Sequence, residues 1–178
     1  MKKIALFIIS VITILSPIMF SSCVEVGNGI QTEFIHGVKF GDSKEIVKGK
    51  TGTVSISEET ENFIEYRYDS GLEFAGVEWE YVTIYFNNNK MCKIIFEDKD
   101  ITGGSFESKL KKVAQTLCTK YDMRVRDGSY YFEKGNKSIK LWDWYSGYYI
   151  FGSALLLSYE DKKLSGKSEK EAKTYNEI

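Results

Sequence analysis

The chain is poor in the residues on which most enzymatic and metal chemistry depends. Its 178 residues include a single histidine, His36, a single proline, Pro17, and three cysteines. A metal site built on a pair of histidines is therefore excluded. A nucleophile oriented by histidine could use only His36, which has no serine or cysteine motif around it. We expect no catalytic residue, no metal and no cofactor, and we expect His36 to be a surface or strand-end residue.

Positive charge is not in excess either. The 24 lysines and arginines are balanced by 25 aspartates and glutamates, which gives a formal net charge of −1. A domain that binds nucleic acid usually carries a clear basic surplus, so we expect no nucleic-acid partner. Aromatic residues, at 15% of the chain, are plentiful. They are typical of strands and of contact surfaces, so the composition predicts a β-rich globular body.

The first 23 residues have the order of an export signal. Lys2 and Lys3 precede an apolar run from 4 to 20, and Phe20-Ser21-Ser22-Cys23 follows. The run is shorter than the roughly 20 apolar residues that span a bilayer, which favours a cleaved leader over a membrane anchor. A signal peptide cleaved elsewhere remains an alternative.

Phe20-Ser21-Ser22-Cys23 resembles the lipobox of bacterial lipoproteins. The resemblance implies a signal peptide over 1–22, acylation of Cys23 and anchoring of the protein in the bacterial cell envelope through its lipid. Val24 stands where aspartate favours inner-membrane retention in Gram-negative lipoproteins, so the resemblance implies the outer membrane.

Between a tether at 23–33 and a polar tail at 161–178, the chain contains an internal echo at an offset of 63 residues. The echo predicts one repeat over 34–100 and a second over 101–160. Its matches are Gly41 with Gly104, Asp42 with Ser105, Val47 with Leu110, Tyr68 with Tyr131, Trp79 with Trp142, Tyr85 with Tyr148 and Phe96-Glu97-Asp98-Lys99 with Tyr159-Glu160-Asp161-Lys162.

Each repeat is predicted to begin with a helix. Asp42 stands three residues before Glu45, which is a capping-box pattern; the short helix would bury Ile46 and Val47 and end at Gly49. Ser105 would open a longer helix with one apolar face. That face consists of Phe106, Leu110, Val113, Ala114, Leu117 and Tyr121.

Strands with turn residues between them are predicted after each helix. In the first repeat they cover 63–69, 72–86 and 90–98, and in the second 129–133, 137–145 and 148–159. The sequence therefore predicts an α+β fold: two tandem helix-plus-antiparallel-meander repeats that form a β-rich sheet with helices on one face.

This pattern resembles the tandem α/β-repeat envelope proteins, of which the β-lactamase-inhibitor-protein-like fold is the best known. The stretch Phe40-Gly41-Asp42-Ser43-Lys44-Glu45-Ile46-Val47 carries most of the likeness. The resemblance implies protein binding without catalysis, and no inhibitory loop matches at the level of residues.

Aromatic residues are the strongest candidates for a binding face. Trp79, Tyr81 and Tyr85 share a strand face by period two, and the echo adds Trp142, Trp144 and Tyr148. Charged neighbours on the first strand would push Trp79 inward, whereas in the second repeat Ile139 and Leu141 compete with Trp142 for the core. Two interpretations therefore stay open, core packing and an exposed binding surface.

Cys92 and Cys118 are the thiols left once Cys23 is lipidated. An oxidising envelope allows a disulfide between them, and two buried thiols are the alternative. The segment from Asp98 to Gly103 begins like a calcium loop, but its twelfth position is Lys109 where such a loop has an acid. We interpret it as an ordinary turn.

The sequence thus predicts a lipid-anchored, non-enzymatic binding module of the envelope, whose partner is another envelope or secreted protein. A lipoprotein that binds a carbohydrate or another small ligand is the alternative. A third hypothesis is a hydrolase that uses a carboxylate pair, Glu78 with Glu80 or Glu58 with Glu59.

Overall fold

The protein is described by a computed structural model covering residues 29–101, 103–144 and 153–166. A short 3-10 helix, Ile35–Gly37, comes first, and its His36 has a φ of 53°. The helices and strands that follow are α1 (Lys44–Thr51), β1 (Ser55–Glu59), β2 (Phe63–Phe74), β3 (Val77–Asn87), β4 (Lys90–Ile101), α2 (Gly103–Lys120), β5 (Arg124–Arg126), β6 (Ser129–Lys134), β7 (Lys137–Trp144) and β8 (Ser153–Asp161).

All the strands belong to one eight-stranded antiparallel sheet in the order β1-β2-β3-β4-β8-β7-β6-β5. Each half of the chain supplies a meander, and β4 and β8 join the two meanders in the middle of the sheet. The α+β class expected from the sequence is confirmed. Within the described residues the element order is a helix and four strands, given twice.

Both helices pack on the same face of the sheet. Val47 of α1 and Val113, Ala114 and Leu117 of α2 belong to one buried cluster with side chains of β2, β3, β4, β7 and β8, and β6 packs against that cluster. Burying one apolar stripe per helix against one apolar sheet face is the standard way to close such a layer. The predicted apolar face of α2 is confirmed, because all of its members lie in that cluster or pack against it.

The N-terminus of α1 differs from the prediction. Its N-cap is Ser43, whose side chain accepts a hydrogen bond from the Ile46 amide. Asp42 instead bonds the Lys39 amide and the Lys50 ammonium. The helix also continues past Gly49 to Thr51, with Gly52 as its C-cap, and Ile46 is 49% exposed.

Helix α2 is fastened to the sheet by Lys109. Its ammonium bonds a carboxylate oxygen of Asp98 and the carbonyl of Glu78, and it lies 4.8 Å from the centre of the Trp79 ring. Asp98 also accepts the Glu80 amide at 2.9 Å. No helix among the described residues is long and apolar enough to cross a membrane.

The folded body extends beyond the predicted repeats at both ends. Ile30, in the segment expected to be a tether, is buried in the core, and Phe34 packs edge-on against Tyr159 at 5.2 Å. At the other end Asn87 donates to the carbonyl of Leu164 at 2.9 Å. The signal peptide, Cys23 and the tail beyond 166 lie outside the described residues.

The 63-residue echo does not hold along the whole sheet. Phe96 on β4 pairs with Val82 on β3, and Tyr159, 63 positions after Phe96, pairs with Ile139 on β7. Ile139 is only 57 positions after Val82, so the two strand pairs do not share the 63-residue offset. Trp79 and Trp142 therefore do not occupy equivalent places in the sheet.

Candidate functional site

The face of the sheet opposite both helices is the candidate site, and we call it the open face. Along β3, Val77 and Trp79 are buried on the helix side with the expected spacing of two residues. The next core residues are Val82 and Ile84, which are three and five residues after Trp79. The strand therefore changes face between 79 and 82. Opposite this change β2 carries an irregularity between Arg67 and Leu72, so the pairing shifts there.

The change of face separates the predicted aromatic residues. Trp79 is fully buried under α2, so its assignment to a binding face is wrong. Tyr81 and Tyr85 point to the open face, where Trp142 joins them from β7. Trp144 ends β7 with a side chain outside the described set, and Tyr148 lies outside the described residues altogether.

Cross-strand pairing arranges the open face in three rows perpendicular to the strands. The first row is Phe63, Tyr85, Lys93, Glu160, Ser138 and Glu133. The middle row is Glu58, Glu65, Thr83, Ile95, Ser158, Lys140, Tyr131 and Arg124. The third row is Arg67, Tyr81, Glu97, Leu156 and Trp142.

The middle row contains one residue from each strand, and its charge changes from acidic to basic across the sheet. It begins with two acids, Glu58 and Glu65, and ends with Lys140, Tyr131 and Arg124. In the centre it consists of shorter side chains, which are nearly covered by the longer ones in the flanking rows. These are Thr83 (5% exposed), Ser158 (6%) and Ile95 (8%).

Basic side chains accompany the aromatic rings on this face. Lys99 lies 4.0 Å from the centre of the Tyr81 ring, and Lys140 lies 5.0 Å from the Trp142 ring. Lys93 lies 5.6 Å from Tyr85. Such cation–π pairs hold long side chains against the sheet. A partner therefore meets amphipathic rings beside positive charges, the types of side chain that dominate binding energy at protein interfaces.

A polar cluster lies between Tyr81 and Tyr85. The Glu65 carboxylate bonds Ser57 at 2.6 Å and the Lys99 ammonium at 3.2 Å. Burial lowers the pKa of Lys99, but Glu97, Glu65 and Tyr81 act more strongly together and raise it.

Glu97 stands apart within that cluster. Burial raises the pKa of its carboxyl, Lys99 opposes the rise, and Glu65 and Asp98 add to it. Among the described residues the Glu97 side chain makes no hydrogen bond and no ion pair within 4 Å. An incompletely paired, half-buried carboxylate is a natural acceptor for a donor brought by a partner.

The disulfide that the sequence left open is not formed. Cys92 is buried, with its Sγ donating to the Tyr85 carbonyl at 3.5 Å, whereas Cys118 is exposed, so the alternative of two buried thiols is wrong for Cys118. Cys118 lines a cavity of about 280 Å³ between α2 and β6. Its other lining residues are Glu107, Leu110, Lys111, Ala114, Gln115 and Tyr130.

The carboxylate pairs considered for hydrolysis are not brought together as the sequence suggested. Glu58 pairs across the strands with Glu65 on the open face, whereas Glu59 pairs with Ile64 and bonds Lys48 at 2.8 Å. On β3, Glu78 lies opposite Glu73, whereas Glu80 forms an ion pair with Arg67 at 3.3 Å.

Two other polar sites considered from the sequence have structural roles. Asp98, the first acid of the calcium-like segment, is paired with Lys109, the residue at the twelfth position. Within the described ranges no three His, Cys, Asp or Glu side chains are grouped to hold a metal ion. His36 stacks on Tyr68, with Nε2 3.2 Å from the Tyr68 hydroxyl.

Sequence reasoning missed most of the open face. Lys99, Lys140, Glu65 and Glu97 gave no signal as single residues, because what marks them is their register across neighbouring strands. A scan against protein-family models, a search of curated proteins and a search of solved structures each found no match.

Proposed function

We propose that this protein is a non-enzymatic binding module that recognises another protein through the open face. The observation that carries the proposal is the set of ring-and-lysine pairs at Tyr81, Tyr85 and Trp142, on a face that no described helix covers. Rigid aromatic rings lose little conformational entropy on binding, and the neighbouring charges supply orientation.

The open face favours a protein over a small molecule. From β2 to β7 its rows cross five strands, about 19 Å at the usual strand spacing. Small ligands prefer enclosed pockets of about 300–1,000 Å³, and the 280 Å³ cavity beside α2 falls just below that range. A broad surface with acids at one end and bases at the other suits a protein segment of complementary polarity.

The location and origin of the module are part of the same proposal. We infer that Cys23 is acylated and that the protein is anchored in the bacterial envelope, as the sequence Phe20–Cys23 suggests. Anchoring raises the local concentration of the module near envelope partners. We also infer that the halves are tandem α/β repeats; the repeated order of one helix and four strands supports this.

Site-specific photo-crosslinking of the full chain, in the cells that produce it, tests the proposal. A photoreactive residue replaces Tyr85 or Trp142 on the open face, and in matched controls it replaces Lys111 or Thr119 on the exposed side of α2. We expect one discrete protein adduct from both open-face positions and none from the controls. The Lys140→Glu substitution should reduce that adduct several-fold, because it reverses the charge beside Trp142.

Three outcomes would contradict protein binding through this face. Adducts of equal yield from α2 and the open face would show that contact is unspecific. An adduct with glycan and no protein would support the carbohydrate alternative. Turnover of a substrate that is lost in Glu97→Gln would revive the enzyme hypothesis.

A further inference from the structure

The two edges of the sheet are short, exposed strands of opposite charge. Strand β1 carries Glu58 and Glu59, and β5 is the triplet Arg124-Val125-Arg126. Every residue of both strands is exposed, and each strand pairs on one side only among the described residues. An edge of this kind presents unpaired backbone amides and carbonyls to any strand that reaches it.

On the open face, each edge has a charged side chain with no ion pair among the described residues. Glu58 lies opposite another acid, Glu65, and makes no ion pair within the described part of the chain. Arg124 lies opposite Tyr131, makes no ion pair there either, and shares its face with Arg126 two residues on. Like charges placed side by side are unfavourable, and an opposite charge across a new strand pair would relieve them.

On the helix side, each edge has an exposed apolar side chain. Val125 is 67% exposed and Ile56 is 43% exposed. They are two of the three large hydrophobic residues exposed in the described ranges. Burying this pair against each other would remove apolar surface from water at both edges.

The strand directions allow the two edges to meet. All seven neighbouring pairs are antiparallel in a sheet of eight strands, so β1 and β5 run in opposite directions. If a second copy is shifted sideways, in the plane of the sheet and perpendicular to the strands, its β1 lies beside β5 of the first copy. The two strands then form a further antiparallel pair. The open faces stay on one side, and Glu58 and Arg124, the two ends of the middle row, then become neighbours.

We propose that copies of this chain associate head to tail, with β1 of one copy pairing with β5 of the next. In this arrangement Glu58 lies opposite Arg124 on the open face, and Ile56 packs beside Val125 on the helix side. The symmetric alternatives are disfavoured, because β1 against β1 opposes acids and β5 against β5 opposes arginines. A heterologous contact of this kind forms open chains of molecules, not closed dimers.

The contact is small, since β5 provides only three residues. Such contacts are weak in dilute solution and depend on a high local concentration. The proposal does not depend on what the open face binds, because the contact runs along the edges of β1 and β5 and only its Glu58–Arg124 pair lies on the open face.

Disulfide trapping in the full chain tests the proposal. In a Cys118→Ser background, Glu58→Cys and Arg124→Cys are introduced singly and together, and cells or detergent extracts are oxidised briefly. The chain with both cysteines should form a ladder of covalent multimers, at least five-fold above either single variant. A chain with Glu58→Cys and Thr119→Cys is the matched control, since Thr119 is exposed on α2 away from the edges.

Charge reversal gives a second, independent readout by amine crosslinking. Glu58→Arg alone, or Arg124→Glu with Arg126→Glu, should lower the yield of multimers at least five-fold, and combining all three should restore it. The proposal is overturned if the double-cysteine chain gives no more multimer than the single variants. It is also overturned if the single variants dimerise as well as the double variant, because that result indicates a symmetric contact.

Discussion

Two tryptophans from neighbouring regions of one sheet show how differently its two faces are used. Trp79 is fully buried on the helix side, where its indole nitrogen donates to the Phe74 carbonyl at 2.9 Å. Trp142 is only partly buried, on the open face beside Lys140. Both rings are accompanied by a lysine, but Lys109 over Trp79 is itself paired with Asp98. The same residue type therefore stabilises the fold on one face and remains available for contacts on the other.

The difference follows from what covers each face. The helix side excludes water, so its charges must be paired and its apolar groups must interlock. On the open face the middle row can keep acids at one end and bases at the other, because solvent screens them. We therefore expect substitutions on the helix side to change stability and substitutions on the open face to change binding.

The largest effect is expected for Trp79→Ala. Removing a fully buried indole leaves a cavity under α2 and an unmet carbonyl at Phe74, and we expect a loss of about 3–5 kcal/mol in the free energy of unfolding. Urea denaturation followed by circular dichroism measures it. A loss below about 1 kcal/mol would mean that the two faces do not differ as described.

A smaller loss is expected for Lys109→Met. The side chains of Lys109 and Asp98 are only 15% and 17% exposed, so removing the ammonium leaves a poorly hydrated carboxylate and costs about 1–3 kcal/mol. Lys48→Met is the matched control on α1, since its pair with Glu59 is more exposed and more strongly screened by solvent, so we expect the smaller loss of the two. Equal losses for the two variants would contradict the inference that the Lys109 contacts with Asp98 and Glu78 hold α2 against the sheet.

A smaller effect is expected on the pH dependence of stability, through Glu97 on the open face. The pKa of Glu97 is raised in the folded protein by burial, so the folded state binds a proton more readily than the unfolded chain. Ionising Glu97 therefore costs stability as pH rises above the ordinary value of 4.5, and it costs nothing well below that value. Glu97→Gln should raise the melting temperature at pH 7, and the gain should vanish near pH 3.

Glu45 is the matched control for that measurement. Its pKa is lowered by a backbone hydrogen bond first, and then by Ser43 and Asn89. Its ionised form therefore stabilises the fold above pH 4.5, so Glu45→Gln should lower the melting temperature at pH 7. Melting curves from pH 3 to pH 8 measure both variants. Shifts of the same sign would contradict the burial of Glu97.

The smallest effect on folding is expected for Trp142→Ala. Its ring packs against one face of the sheet and the Lys140 side chain, so the free energy of unfolding should change by less than about 1 kcal/mol. The same variant should reduce the yield of the crosslinked partner several-fold when the probe is at Tyr85. A variant that fails to fold would place Trp142 in the core after all.

Much of the fold could be predicted from the chain. Period-two alternation located the inner strands, and the spacing of Val113, Leu117 and Tyr121 predicted the buried face of α2. The edge strands β1 and β5 were missed, because an exposed strand has no apolar alternation to mark it. The Ser43 cap was mistaken for Asp42, since both types accept hydrogen bonds equally well at a helix start.

The candidate site was predictable only in part. Tyr81, Tyr85 and Trp142 were named from the sequence, but Trp79 was named with them because strict alternation was assumed along β3. The change of face between 79 and 82 lies where four residues of β2, 68–71, stand opposite a single residue of β3. The apolar positions of β3 do shift from 77 and 79 to 82 and 84, but Tyr81 and Tyr85 continue the first spacing of two and so hide the shift in the sequence.

By itself the sequence determined the class of the fold, the apolar stripe of α2 and the scarcity of histidine, since composition and periodicity are local properties. Tertiary structure alone decided which aromatic rings are buried, how Lys99, Lys140 and Glu97 come together, and that an acidic and a basic strand form the two edges. Those features depend on which residues lie opposite one another in the sheet. Cross-strand register is set by packing between segments that are distant in the chain.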